Sequence, residues 1–131
     1  MAFYLDTSAA VKLVVVEAET GALRAWFKKV SADIVSSDLL RTELLRATRR
    51  GAPDAMEQAR AVLDSVTLLT VTTPILERAG ELDPNLVRSL DAIHLASALQ
   101  LGDDLEGIIG YDTRLTDAAR LHGIKTISPS S

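Results

Sequence analysis

Four acids stand where their surroundings ask for more than a solvated role: Asp6, Glu43, Asp91 and Asp112. Asp6 directly follows the apolar run AFYL at 2–5, and Asp112 follows GIIGY at 107–111. Each also suits the N-cap of the segment after it, since a short side-chain oxygen there accepts a hydrogen bond from an orphan backbone N–H. Glu43 lies inside an apolar stripe of Leu39, Leu40, Leu44 and Ala47 at helical spacing, so its charge is expected to face the core. Arg46, three residues on, is its ordinary partner, but such a pair contributes only about 0.2–0.5 kcal/mol on an exposed helix and does not explain the position. Asp91 falls in the first turns of LVRSLDAIHLASALQL, on the face continued by Leu95 and Ala98. Helix-dipole stabilisation of about 0.3–1 kcal/mol is small beside the several kcal/mol needed to desolvate an ion there. A nearby cation accounts for the position better.

Four such acids drawn to one pocket would raise one another's pKa values unless a cation compensated. The chain has no cysteine, so a metal must be held by oxygen or by its two histidines. Hard oxygen donors suit Mg²⁺, with Mn²⁺ as a substitute, and a water in the metal's shell is a nucleophile for in-line attack on phosphorus. His94 follows Asp91 by three residues, a spacing that could share a metal, but it is expected to be a hydrogen-bonded core residue. His122, just before Gly123, reads as a partner for a helix C-terminus. Neither is assigned to the site. Arg41, Arg46, Arg49 and Arg50 crowd one helix and its exit, where a solvated face is the expected reading and phosphate contact the alternative.

Strands are expected at 2–5, 33–37, 68–72, 107–111 and 124–128. Between them, helical spacing runs through SAAVKLVV, 18–30, the stretch from Ser37 or Asp38 to Gly51, 53–66, ILERAGEL after Thr73 and Pro74, 86–101, and DTRLTDAARLHG. The segment 86–101 is apolar on nearly every side and should be buried between layers. Alternating strands and helices call for a parallel sheet with helices on both faces. In such sheets the active crevice lies beyond the carboxyl ends of the strands, which is where Asp6 and Asp112 fall.

At 131 residues the chain fits one domain, 1–131, with a composition ordinary for a globular protein and no repeat or linker. The N-terminal stretch lacks a basic segment, and Asp6 and Lys12 break its apolar run, so no membrane contact and a cytoplasmic location are expected. The net charge of −4 at first argues against a nucleic-acid partner. The excess of acids over bases equals the four acids singled out, so one site that a divalent cation partly neutralises could hold all of it.

The segments FYLDTSAAVKL, SDLLRTELLRA, LVRSLDAIHLASAL and GYDTRLTDAARLHGIKTI together resemble the PIN domains, and within them the VapC-type toxins of bacterial toxin–antitoxin pairs. The resemblance spans almost the whole chain in the family's order. It implies a three-layer α/β/α sandwich with a mainly parallel five-stranded sheet and Mg²⁺- or Mn²⁺-dependent cleavage of RNA. It also implies a small VapB-like antitoxin. By match of motif, Asp6 and Asp91 would be the principal metal ligands, Glu43 and Asp112 would complete the acidic site, and Thr7 and Ser8 would line it. Members often carry Thr or Ser two positions before the last aspartate, where this chain has Gly110, and Asp117 one turn later is a reserve acid. A homodimer is the expected assembly. Trp26 and Phe27 stand side by side before Lys28 and Lys29, where an exposed aromatic that anchors a partner and simple partial burial are the two readings. The competing reading is a PIN-like module that binds without catalysing. Phosphatases of the haloacid-dehalogenase type and receiver domains fit poorly, because Ser8 stands where the first would need a second acid and TVTT ends the strand where the second would need its aspartate.

Overall fold

The computed structural model describes residues 1–130. β1 (Ala2–Leu5) is the axis of the molecule, and strand alternation sends Phe3 and Leu5 to one face and Tyr4 to the other. It pairs in parallel with β2 (Asp33–Ser37) on one side, Phe3 opposite Ile34, and with β4 (Leu105–Ile109) on the other, Tyr4 opposite Ile108. β3 (Thr67–Leu69) extends the sheet beyond β2, and β5 (Thr126–Ile127) extends it beyond β4. The order is β3-β2-β1-β4-β5, every neighbouring pair parallel.

Helices α1 (Thr7–Lys12), α2 (Thr20–Lys29), α3 (Asp38–Gly51) and α4 (Met56–Ser65) bury Ala10, Leu23, Leu40, Leu44 and Leu63 with Leu5 and Ile109 on one face. On the other face α6 (Ser89–Leu99) and α7 (Thr113–Leu121) pack Leu95, Ala98 and Leu115 against Tyr4 and Ile108, while α5 (Thr73–Glu81) leans on α6 through Ile75, Ala79, Ala92 and Ala96. Two helical layers thus cover a wholly parallel sheet, the three-layer sandwich expected from the alternation of elements. Small residues on α6 let it lie close to α5, α7 and the sheet at once, so six of its 11 residues are buried.

Several boundaries differ from the sequence reading, each for a local reason. β3 is Thr67–Leu69 rather than 68–72, because Val71 turns toward the α5–α6 contact and Thr72 caps α5, its hydroxyl accepting from the Ile75 N–H. α6 starts at Ser89, not at 86: residues 84–87 form a turn closed by Val87 N–H on the Pro84 carbonyl, Leu86 is exposed, and Arg88 is extended. The helix expected from Pro53 opens with a 3₁₀ turn, Pro53–Ala55. β4 begins at Leu105 and ends at Ile109, which leaves Gly110 and Tyr111 as the link to Asp112.

Candidate active site

The sheet order reverses beside β1: the chain leaves β1 toward β2, while β4 lies on its opposite edge. That arrangement opens a crevice beyond the carboxyl ends of β1 and β4. Asp6 stands at its floor, only 4% exposed, with its backbone N–H bonded to the Ile109 carbonyl at 2.9 Å. Its Oδ2 accepts from Ser8 Oγ at 2.6 Å and from the Ser8 N–H at 3.3 Å, so Asp6 is also the N-cap of α1. Ser8 Oγ in turn accepts the N–H groups of Tyr111 and Asp112 at 2.8 and 3.2 Å. One hydroxyl therefore ties the end of β1 to the loop that carries Asp112. A Cβ at Gly110 would meet Asp6 Cβ at 3.1 Å and Oδ2 at 3.2 Å, so the glycine lets this loop lie against the aspartate.

Glu43 projects from α3 toward the same crevice. Its Oε1 accepts from Thr7 Oγ1 at 2.7 Å and from His94 Nε2 at 2.6 Å, whereas Oε2 has no protein partner among the described residues. His94 is 2% exposed on α6, and its Nδ1 shares a hydrogen bond of 2.8 Å with the buried Tyr4 hydroxyl. A chain of contacts thus runs from the sheet through the imidazole to the carboxylate. Burial alone would raise the Glu43 pKa, but the hydrogen bond from His94, its charge and Thr7 more than reverse this and hold it below the ordinary value. Burial likewise pulls His94 down, and the bond to Glu43 with the charges of Asp6, Glu43 and Asp91 pushes it above its ordinary value.

Glu43, Asp91 and Asp112 line a cavity of about 270 Å³ together with Arg88 and Arg114. Asp91 is only partly buried and makes no hydrogen bond among the described residues, a more open position than its apolar helix suggested. Its pKa is raised first by burial and then by repulsion from Asp112 and Asp6, with His94 opposing. Asp6 is also raised, by burial, against the pull of His94 and Ser8. Asp112 caps α7, accepting the Arg114 N–H at 2.9 Å, so capping and site placement coincide in it as they do in Asp6.

Hard oxygen donors with free lone pairs, Asp91 among them repelled by Asp112, Asp6 and Glu43, fit a small divalent cation. Among the described residues no three acidic or histidine side chains close on one point. The acids form an open basin rather than a cage, which suits an ion that keeps several of its waters.

Thr7 and Ser8 lie beside Glu43 and Asp6, and their hydroxyls donate to those carboxylates. Asp117 does not belong to it: it is exposed on α7 and pairs with Arg120 at 3.0 Å. Arg46 is not the partner of Glu43; His94 is. His122 ends α7 with its ring nitrogen donating to the Asp83 carbonyl. Trp26 and Phe27 are both half-buried, edge to face with each other at 5.2 Å, and Trp26 likewise with Phe3 at 5.0 Å. Neither is a bare aromatic anchor, and partial burial is the reading that holds on α2. The sequence reading left Arg88 and Arg114 unremarked; their only signal is spacing, one helical turn before Asp91 and two residues after Asp112.

The PIN domain family matches residues 3–121, and the chain belongs to that family. Its relatives narrow the class to VapC-type proteins. It is 44% identical to "Ribonuclease VapC46" and 42% identical to "Ribonuclease VapC47", both of Mycobacterium tuberculosis, with 98% of this chain and 98% and 97% of the relatives covered. In fold it resembles the crystal structure of M. tuberculosis VapC20, described as a sarcin-ricin loop cleaving toxin, with a TM-score of 0.75 at 17% identity over 97% of this chain and 99% of that one. A toxin-antitoxin complex from Klebsiella pneumoniae superposes with a TM-score of 0.73 at 20% identity, covering 100% and 99%.

Proposed function

We propose that this chain is a Mg²⁺-dependent endoribonuclease, the toxin of a VapBC-type pair, acting in the cytoplasm and restrained by a small cognate antitoxin. The observation that carries the reading is the gathering of acids from four elements at the β1–β4 edge, where Asp91 is repelled by its neighbours. The relatives named ribonuclease VapC support it over nearly the whole chain.

In this reading Asp6 and Asp91 hold the ion, and Glu43 and Asp112 complete its surroundings. When bound, such an ion lowers the pKa of water and offsets charge developing on a phosphodiester. The protein's own part is positioning. Ser8 fixes Asp6 and the Asp112 loop, while Thr7 and His94 occupy Glu43 Oε1 and leave Oε2 for the basin. The depressed pKa of Glu43 keeps that carboxylate ionised at neutral pH. Arg88 and Arg114 stand at the rim with N–H donors for phosphate oxygens.

Incubation with total RNA in Mg²⁺, in Mn²⁺ and in chelator, with sequencing of new ends, tests this. Discrete metal-dependent ends are expected; a folded protein that cuts nothing under any condition would be a binding module. Expression alone should arrest growth, and co-expression with the adjacent small reading frame should restore it.

A further inference from the structure

The link between β4 and α7 is held from two sides, and only one of them faces the crevice. On the crevice side Ser8 Oγ accepts the Tyr111 and Asp112 N–H groups. On the far side lies the segment 127–129. β5 runs beside β4 with Ile127 opposite Ile109, and past its end the chain keeps to the same line. The Gly110 N–H donates to the Ile127 carbonyl at 3.0 Å, and the Ser128 hydroxyl donates to the Gly110 carbonyl. The Tyr111 hydroxyl then donates to the Pro129 carbonyl at 2.6 Å.

Tyr111 is itself clamped. Its ring packs against the core around Leu5 and Ile109, and Lys12 Nζ lies over it, 4.8 Å from the centroid. Glu17 and Glu19 grip that ammonium at 3.2 and 2.8 Å. Lys12 belongs to α1, the helix that Asp6 caps, so the ring is tied to the element that fixes Asp6.

Sheet pairing does not require these bonds. β5 is only two residues long, and Ser128 is exposed, where water would serve its hydroxyl equally well. The bonds instead reach the stretch that carries Asp112, which after burial is the largest influence raising the Asp91 pKa. The cap bond from the Arg114 N–H sets the Asp112 carboxylate on α7, not its distance from Asp6 and Asp91. That distance follows from where residues 110–112 lie.

We infer that residues 128–129 are a strap and that Tyr111 and Ser128 are positioning residues: acting through the backbone of 110–112, they fix Asp112 where it can share a divalent cation with Asp6 and Asp91. The inference rests on the metal-dependent ribonuclease reading and adds to it two side chains that take no part in the acidic cluster.

Tyr111→Phe/Ser128→Ala removes both strap bonds and leaves the ring under Lys12. The control, Ser65→Ala, removes an exposed hydroxyl-to-carbonyl bond of the same kind at the end of α4. Both are made in the wild type and in Asp112→Asn. Three quantities are read: amide exchange at 110–112, the Mn²⁺ dissociation constant by electron paramagnetic resonance, and kcat and KM on a short unstructured RNA carrying a cut site found in the total-RNA experiment. In the strap variant the Tyr111 and Asp112 amides should exchange faster. Mn²⁺ affinity and kcat should each fall about 10-fold, the lower end for removing groups that orient metal ligands, with KM unchanged. In Asp112→Asn the same change should add less than about twofold, because it acts through the group already removed. Ser128→Thr, which keeps the hydroxyl, should behave as the wild type.

Unchanged exchange, unchanged Mn²⁺ affinity and kcat, an equal loss in Ser65→Ala, or the full loss recurring in Asp112→Asn would each overturn the strap. Should the double variant fold poorly, Ser128→Ala alone is held to the same criteria, with a loss of about threefold if the two bonds contribute alike. If the wild type cuts nothing, the ribonuclease reading fails on its own, and exchange with Mn²⁺ affinity still decides the strap. A wild type that binds no Mn²⁺ overturns the strap whatever it cuts.

Discussion

Asp6 and Glu43 reach the basin from the β1 side with their carboxylates tied by Ser8, Thr7 and His94. Asp91 and Asp112 reach it from α6 and α7, the first with no hydrogen bond among the described residues and the second held by its own helix cap. One half is set by folding; in the other, Asp91 is left unpaired and repelled by its neighbours. Fixed donors remove the cost of ordering a carboxylate when an ion arrives, and a free, repelled carboxylate gains most from that ion. The contrast explains how a site can be pre-organised without collapsing on itself.

Removing a charge from either half should break the reaction and separate the halves by stability. Asp6→Asn and Asp91→Asn should each lower RNA cleavage by at least about 10²-fold, the scale of losing one charge-stabilising group. In chelator, Asp91→Asn should raise the melting temperature by relieving repulsion. Asp6→Ala, which also removes the α1 cap, should lose about 0.5–2 kcal/mol relative to Asp6→Asn. Calorimetry and single-turnover cleavage on the same preparations check both; a lower melting temperature for Asp91→Asn with cleavage retained would remove the metal reading.

Ligand linkage sharpens the same contrast. Mg²⁺ at about 100 times its dissociation constant should stabilise the wild type by about 2.7 kcal/mol, a gain that Asp91→Asn should lose. Equal thermal shifts would place the ion elsewhere.

The tied half depends on His94. His94→Ala strands the buried Tyr4 hydroxyl and should cost about 1–3 kcal/mol. Cleavage should fall about 10- to 100-fold, the usual effect of removing a group that orients a ligand. Cleavage at the wild-type rate would show that Glu43 needs no positioning.

A smaller effect lies in pH. His94 is raised in the fold, so its contribution is full below its ordinary value of 6.5 and is lost as pH rises through the folded value. Glu43 is lowered, so its contribution is full above its ordinary value of 4.5 and is lost as pH falls through the folded value. Asp6 and Asp91, both raised, likewise lose stability as pH rises. In chelator the melting temperature should therefore fall as pH rises above about 6.5, and Glu43→Gln should make that fall shallower. An unchanged profile in the variant would mean that no charged pair forms.

The sequence by itself determined which elements form and where the acids fall on them. Periodicity of two or of helical spacing depends on neighbours along the chain, so AFYL, DIVSS and the stripe around Glu43 were legible without a structure. It also determined that Asp6 and Asp112 stand at starts of helices, because capping is local. Only the tertiary structure decided what faces what: that β1 lies between β2 and β4, that His94 rather than Arg46 meets Glu43, that Asp117 turns to Arg120 and that Trp26 packs on Phe3. Arg88 and Arg114 belong to the same class, since their spacing from Asp91 and Asp112 is their only mark in the chain, and α7 must dock beside α6 before both guanidinium groups line one cavity. The spacing of residues fixes a side chain's face on its own element, whereas its partner is set by how elements many residues apart pack. That packing follows from the burial of apolar faces over the whole sheet.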